Sequence, residues 1–376
     1  MHKIGELTIK KNKVVRVKQT KFYQAHKSLN AKIVEFAGYE MPIQYSSIIA
    51  EHKAVRSSVG VFDVSHMGQV FVKGANALSF IQKITVNDAS KLFPGRVQYS
   101  AMCYEDGGMV DDLLVYCISS EEYLLVINAS NISKDFDWMQ KNNSDGIELI
   151  NRSDDYSLMA IQGPYSQKVV EKYFDTTINL EYYHFTTSRK SGVDFIVSRT
   201  GYTGELGYEL YFVSDESFAL DLWKTIFEIG AEYGITPIGL GARDTLRLEM
   251  GFCLYGSEID ATTNPLEAGL GWITRLNKTG FIGKEALLTI KEKGLIRKLT
   301  PLTMEERMIP RHGYELTSVG IKAGSVTSGC LSPVLDKPIA LAYIDMALLQ
   351  AGEPLNFIIR GKEYPAKIVK LPFINA

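Results

Sequence analysis

The sequence predicts an α+β protein of two or three domains, the last of them all-β. Three observations carry that prediction. At 376 residues the chain exceeds what one ordinary hydrophobic core holds together. Between Phe71 and Gln140 the apolar periodicity runs strand, helix, strand, strand, strand, helix, an α+β order rather than repeated βαβ units. Beyond Gly294 the texture changes to short strands divided by Gly and Pro, as in a sandwich or jelly roll.

Composition narrows the function class. Hydrophobic residues make up 45% and charged residues 22%, the balance of a soluble globular enzyme. Lys plus Arg total 41 against 43 Asp plus Glu, so no basic excess favours nucleic acid. Cys103, Cys117, Cys253 and Cys330 show no CxxC spacing and read as scattered thiols, with neither a disulfide frame nor a metal site expected. No run of 18 apolar residues spans a membrane and no signal core leads the chain, so a cytoplasmic location is expected.

Residues 1–18 alternate lysines with β-branched residues and read as an exposed N-terminal arm. Phe22, Tyr23, His26 and Leu29 fit one short helix, and Ile33 to Met41 a strand ending before Pro42. A helix follows Ser46-Ser47 to about Val59, with Gly60 as its stop. Val61 to Val72 reads as two strands broken at Gly68, Asn76 to Ile84 as a helix, and Arg96 to Tyr104 as a strand. Leu113 to Ile118 and Tyr123 to Asn128 flank a hairpin turn, and Asn131 to Gln140 repeats at i, i+4. Strands with one helix fill 145–210, and Ser217 to Tyr233 is an amphipathic helix. Lys291 to Gly294 reads as the linker to the β-rich end.

Three stretches concentrate residues able to do chemistry. In Gly107-Gly108-Met109-Val110-Asp111-Asp112-Leu113 a glycine turn delivers two carboxylates onto an apolar strand. Neighbours on a strand face opposite ways, so one acid can be solvated while the other looks inward. An inward carboxylate must be paired, protonated or awaiting a ligand. In Arg199-Thr200-Gly201-Tyr202-Thr203-Gly204-Glu205-Leu206-Gly207-Tyr208-Glu209, Tyr202 and Glu209 can converge on one ligand. No GxxxxGK[ST] follows, so this is no phosphate loop. In Pro237-Ile238-Gly239-Leu240-Gly241-Ala242-Arg243-Asp244-Thr245-Leu246-Arg247-Leu248-Glu249 a loop becomes a helix. Arg247 can pair with the local acids, while Arg243, nearest the loop, is free for a carboxylate or a planar heteroatom edge. Ser65 and His66 face apart on a strand, which leaves His66 a structural, hydrogen-bonded histidine.

Together with Phe36-Ala37-Gly38, Glu51-His52-Lys53-Ala54-Val55-Arg56, Phe62-Asp63-Val64-Ser65-His66-Met67 and Pro265-Leu266-Glu267-Ala268-Gly269-Leu270-Gly271-Trp272, these stretches resemble the aminomethyltransferase family, the T-protein of the glycine cleavage system. The resemblance runs in family order from about Gln19 to Phe373. It implies three domains in a ring around a central folate-binding opening. The expected division is a discontinuous α+β domain of residues 19–70 and 141–290, an inserted ferredoxin-like domain of residues 71–140, and a C-terminal β-barrel or jelly-roll-like domain of residues 294–376.

The same resemblance implies transfer of a one-carbon unit from the aminomethyl-lipoyl arm of H-protein to tetrahydrofolate. The products are 5,10-methylenetetrahydrofolate, ammonia and dihydrolipoyl H-protein. The second aspartate of the family's GGxxDD strand contacts the reacting pterin nitrogens and maps onto Asp112. The glutamate holding the pterin amino face maps onto Glu209, and Tyr99, Tyr202 and Arg243 match the folate-lining residues. Many members carry a basic residue beyond the C-terminal Pro-Phe, where this chain has Ile374-Asn375-Ala376. The rival readings are a folate-dependent demethylase of a small methylated amine or sulfonium and a non-enzymatic folate-binding iron–sulfur assembly factor. For docking of an acidic H-protein, Arg297-Lys298 is the expected basic pair.

Overall fold

The computed structural model describes residues 17–144 and 146–374, so the N-terminal arm lies outside the described residues except for its last two. Helix α1 (Tyr23–Ser28) leads into β1 (Lys32–Phe36) and β2 (Tyr39–Gln44). These pair as a hairpin where one strand was expected, because Ala37 and Gly38 take φ of 51° and 82° and reverse the chain. Pro42 falls inside β2, which a two-stranded sheet tolerates because each strand has a free edge. Helix α2 (Ile48–Ser57) is capped by the Ser47 side chain, which accepts from the Ala50 N–H.

Gly60 does not end that helix. It opens β3 (Gly60–Asp63), where Val55 and Ile238 pack so closely that a Cβ would sit 2.5 and 2.6 Å from them. Gly68 likewise opens β4 (Gly68–Lys73), and the interruption falls at residues 64–67. After α3 (Ala77–Ile84) come β5 (Val97–Cys103), β6 (Met109–Ser119), β7 (Glu122–Ile127), α4 (Ile132–Lys141) and β8 (Glu148–Asn151). They form an antiparallel sheet in the order β5-β6-β7-β4-β8, whose strands reach past both ends of residues 71–140.

A second sheet follows from β9 (Tyr156–Gln162), α5 (Ser166–Phe174), β10 (Phe185–Lys190), β11 (Val193–Ser198), β12 (Gly207–Val213), α6 (Glu216–Gly230) and β13 (Thr236–Pro237). Its order is β10-β11-β12-β9-β3-β13, with only β13 parallel to its neighbour. Helices α7 (Leu240–Glu249) and α8 (Lys284–Lys293) come next, and residues 291–293, expected as linker, are the last turn of α8.

The remainder comprises β14 (Arg297–Thr303), β15 (Glu315–Ser318), β16 (Ile321–Ser332), β17 (Lys337–Asp345), α9 (Met346–Ala351), β18 (Leu355–Ile359) and β19 (Lys362–Ile368). It is a closed six-stranded barrel rather than a sandwich or jelly roll, because β14 pairs with β17 on one side and β19 on the other. Closure satisfies edges that a small open sheet would expose.

Period-two alternation explains the layering. In β6, Leu113, Val115 and Cys117 pack with α3 and α4, whereas Leu114 and Tyr116 face the second sheet. In β12, Tyr208, Leu210 and Phe212 pack with α5 and α6, whereas Tyr211 faces the first sheet. Each sheet thus carries helices outside and meets the other sheet inside. The barrel's Leu299, Ile339, Leu341 and Tyr343 pack outward against Ala101, Met109 and Leu248, joining the barrel to the first sheet and to α7.

Candidate functional site

Where the two sheets, the residues around 250–272 and the barrel meet, the chain encloses a cavity of about 460 Å³. Its walls include Phe62, Leu114, Leu158, Tyr183, Phe252 and Trp272, and a few polar groups converge on it. That composition suits a planar ring system with polar edges. All five residues singled out for the site, Tyr99, Asp112, Tyr202, Glu209 and Arg243, line this cavity.

The Gly107-Gly108 turn aims Asp112. Gly107 adopts φ of 89°, and a Cβ on Gly108 would lie 2.1 Å from the Ala261 carbonyl oxygen. The strand that follows sends Asp112 inward, where Oδ2 accepts from the Tyr99 hydroxyl at 2.9 Å and Oδ1 from Asn128 Nδ2 at 2.7 Å. Burial, and then the charge of Asp111, pushes the Asp112 carboxyl up from 3.8 to about 7. A carboxyl poised there can take and return a proton near neutrality.

Asp111 faces the helices, as alternation requires, but it is not the solvated acid expected. It is fully buried, because α4 lies over that face of the strand. Asn128 and Asn131 side-chain nitrogens donate to its Oδ1, both at 2.8 Å. Asp135 adjoins it, and burial with the Asp111 charge holds the Asp135 proton on to about 10, so Asp135 meets Asp111 as a neutral carboxyl. Lys134 Nζ lies 2.8 Å from the same Asp135.

Across the cavity, Glu209 on β12 accepts at Oε2 from the Thr200 and Tyr211 hydroxyls, the latter at 3.1 Å. Among the described residues no protein donor reaches Oε1. Burial raises the Glu209 carboxyl above its ordinary value. Tyr202 stacks on Phe252 with ring centres 5.7 Å apart and donates to the Cys253 carbonyl. The Arg243 guanidinium lies 4.5 Å from the Tyr202 ring centre. Among the described residues it has no hydrogen bond or ion pair, which leaves its donors for a ligand.

The other motif charges are structural. Arg247, 1% exposed, donates to Glu258 at 2.7 Å, Asp244 at 2.8 Å and Ser328 at 2.8 Å, tying α7 to the barrel. Glu51 accepts from the Tyr45, Ser46 and Gly239 N–H groups, His52 lies 2.9 Å from Glu249, and Arg56 bridges Glu205 and Glu249. His66 is buried with Nδ1 unpartnered rather than hydrogen-bonded, its ring edge-on to Phe36, and burial followed by Arg243 lowers it to about 4. Arg297 is not free for docking: Glu267, 4% exposed at its side chain, holds it at 3.0 Å, and it covers the Tyr343 ring.

Asn128, Thr200, Tyr211 and Trp272 escaped the sequence reading. Asn128 closes an expected strand and Thr200 lies inside a chosen stretch, but only strand pairing brings either to a carboxylate. No group of three or more His, Cys, Asp or Glu that could hold a metal occurs among the described residues, and none of their helices is long and apolar enough to cross a membrane.

The family model described as "GCVT N-terminal domain" matches residues 22–278, and "Glycine cleavage T-protein C-terminal barrel domain" matches 297–375. The chain is 49% identical over 359 residues to a protein of Halothermothrix orenii named "Aminomethyltransferase", covering 95% of this chain and 100% of that one. One of Phocaeicola vulgatus with the same name is 51% identical over 363 residues, covering 95% and 99%. The crystal structure of glycine cleavage system aminomethyltransferase T from Bartonella henselae superposes with a TM-score of 0.88 at 31% identity, covering 95% and 98%.

Proposed function

The chain belongs to the glycine cleavage T-protein family of aminomethyltransferases, and from that premise we propose how its cavity carries out the transfer. The activity moves the one-carbon unit of aminomethyl-lipoyl H-protein to tetrahydrofolate, leaving ammonia and dihydrolipoyl H-protein. The rival demethylase and assembly-factor readings lose to a match that spans both family models and 95% of the chain.

In our reading Glu209 holds the N–H-bearing edge of the pterin through Oε1, while Tyr99, Tyr202 and the apolar walls enclose the ring. Arg243 takes a carboxylate or heteroatom further out. Asp112 then lies beside the folate amines. The methylene carbon loses its bonds to sulfur and to the amine nitrogen and gains bonds to N5 and N10. The two N–H protons leave the folate and appear on the departing thiol and on ammonia. Asp112, half-protonated near neutrality, takes a proton from an attacking nitrogen and returns it to a leaving group. The rest is positioning of N5 against the carbon.

The observation that carries this reading is the inward Asp112 carboxyl facing a cavity whose opposite wall presents an unoccupied Glu209 oxygen. The lipoyl arm would come in past exposed Trp272, Tyr182 and Leu371, which line the cavity yet remain open to solvent. We also propose three units matching the two sheets and the barrel, residues 19–70 with 141–290, 71–140, and 294–376, the middle sheet borrowing strand residues from 68 to 151.

Turnover of aminomethylated lipoyl H-protein, with free sarcosine as a control substrate, tests it. Asp112→Asn should cut kcat by about 10²- to 10⁴-fold while tetrahydrofolate still binds. Wild-type turnover in that variant would remove Asp112 from the chemistry.

A further inference from the structure

Behind Glu209 lies a cluster of hydroxyls that the transfer does not touch. Tyr116 sits on β6, four residues along from Asp112 and on the same face, and reaches across the sheet interface to the second sheet. Its hydroxyl lies 2.9 Å from the Tyr211 hydroxyl, 3.1 Å from Ser198 Oγ and 3.2 Å from Thr200 Oγ1. Thr200 Oγ1 and Ser198 Oγ are 2.9 Å apart. Tyr116, Tyr211 and Ser198 are each at most 1% exposed, so no solvent is at hand to replace a missing partner.

A proton count gives the cluster a direction. Tyr211 and Thr200 each have one hydroxyl proton, and both protons are directed to Glu209 Oε2. Their oxygens can then only accept from the groups behind them. Tyr116, whose hydroxyl can serve as donor at 2.9 Å, is placed to give its one proton to Tyr211. The Tyr116 and Tyr211 hydroxyl dipoles then both point toward the carboxylate, and such a chain strengthens its final bond in a low-dielectric interior. This opposes the burial that raises the Glu209 carboxyl above its ordinary value. With Oε2 saturated by protein donors, Oε1 is left as a pure acceptor aimed into the cavity.

We propose that Tyr116 is a positioning residue for the folate: its hydroxyl, donated through Tyr211, fixes Glu209 as a charged acceptor for the pterin's N–H edge. The inference rests on the reading of Glu209 as the pterin anchor. It also means that one strand, β6, serves both ends of the ligand, directly through Asp112 and indirectly through Tyr116.

A double-mutant cycle on tetrahydrofolate affinity tests this. Tyr116→Phe keeps the ring that packs against Phe185 and removes only the hydroxyl. It should raise the Kd by about 5- to 10-fold, the worth of one hydrogen bond feeding a charged group. Saturating folate should restore kcat to within about twofold, since Asp112 is untouched. In the Glu209→Gln background the same change should cost little more, because the charge it supports is gone. Tyr211→Phe, which deletes the direct donor, should behave the same way and covers the case in which Tyr116→Phe folds poorly. Unchanged affinity in both tyrosine variants would overturn the inference, as would losses that simply add to that of Glu209→Gln. If Glu209→Gln itself binds folate as tightly as the native protein, the anchor reading fails instead.

Discussion

Replacing Asp111 by Asn removes a buried charge without touching the cavity, and its effect on Asp112 can be sized from geometry. Both carboxylates accept from the same Asn128 nitrogen, at 2.8 and 2.7 Å, which places the two oxygens about 5 Å apart. Like charges at that separation repel by about 3 kcal/mol at an effective dielectric of ~20, or about 2 pK units. The Asp112 carboxyl is open to the cavity, so solvent reduces this to about 1 unit. Asp112 must be ionised to accept a proton, and activity therefore rises with pH through its midpoint near 7. Removing the Asp111 charge lowers that midpoint, so the acid limb of the kcat profile should move down by about 1 pH unit. At pH about 6 the variant should then lose less of its own maximal rate than the native enzyme does. The assay is a pH series of H-protein-dependent methylenetetrahydrofolate formation at saturating folate. An acid limb that stays in place, in a variant with unchanged melting temperature, would refute the electrostatic coupling. A larger turnover loss than in Asp112→Asn would show that the wrong aspartate was assigned.

Asp112→Asn should raise the melting temperature at pH 8, because a carboxyl whose folded pKa lies above its unfolded value contributes stability only at low pH and loses it as pH rises through the folded pKa, here about 7. A scan at pH 8 showing no gain of at least about 2 °C, or a gain of the same size at pH 4, would contradict the raised pKa. Arg247→Ala should destabilise the protein by about 3–5 kcal/mol, since it leaves Glu258 buried without its cation and unties α7 from the barrel. Urea unfolding with a loss below about 1 kcal/mol would show that the network relaxes around the gap.

Much of the architecture is local and could be read from residue order. Alternation along β6 determined that Asp111 and Asp112 part ways, and the helix faces of α3, α4 and α6 follow from periods that any neighbour must accommodate. The family resemblance likewise pointed to five residues that are among those lining the cavity. Local signals misled where a glycine serves packing instead of chain punctuation: Gly60 opens a strand because Val55 and Ile238 leave no room for a Cβ there. Only the tertiary structure decided what stands behind each site residue. Asp111 is buried because α4 closes over its strand, and Arg297 is occupied because Glu267 from a preceding segment meets it. Tyr116 supports Glu209 only because its partners, 82, 84 and 95 residues away in the chain, arrive across a sheet interface. Hydrogen bonds of that span depend on strand register and on how two finished sheets stack, and neither quantity leaves a trace in the periodicity of the segments involved.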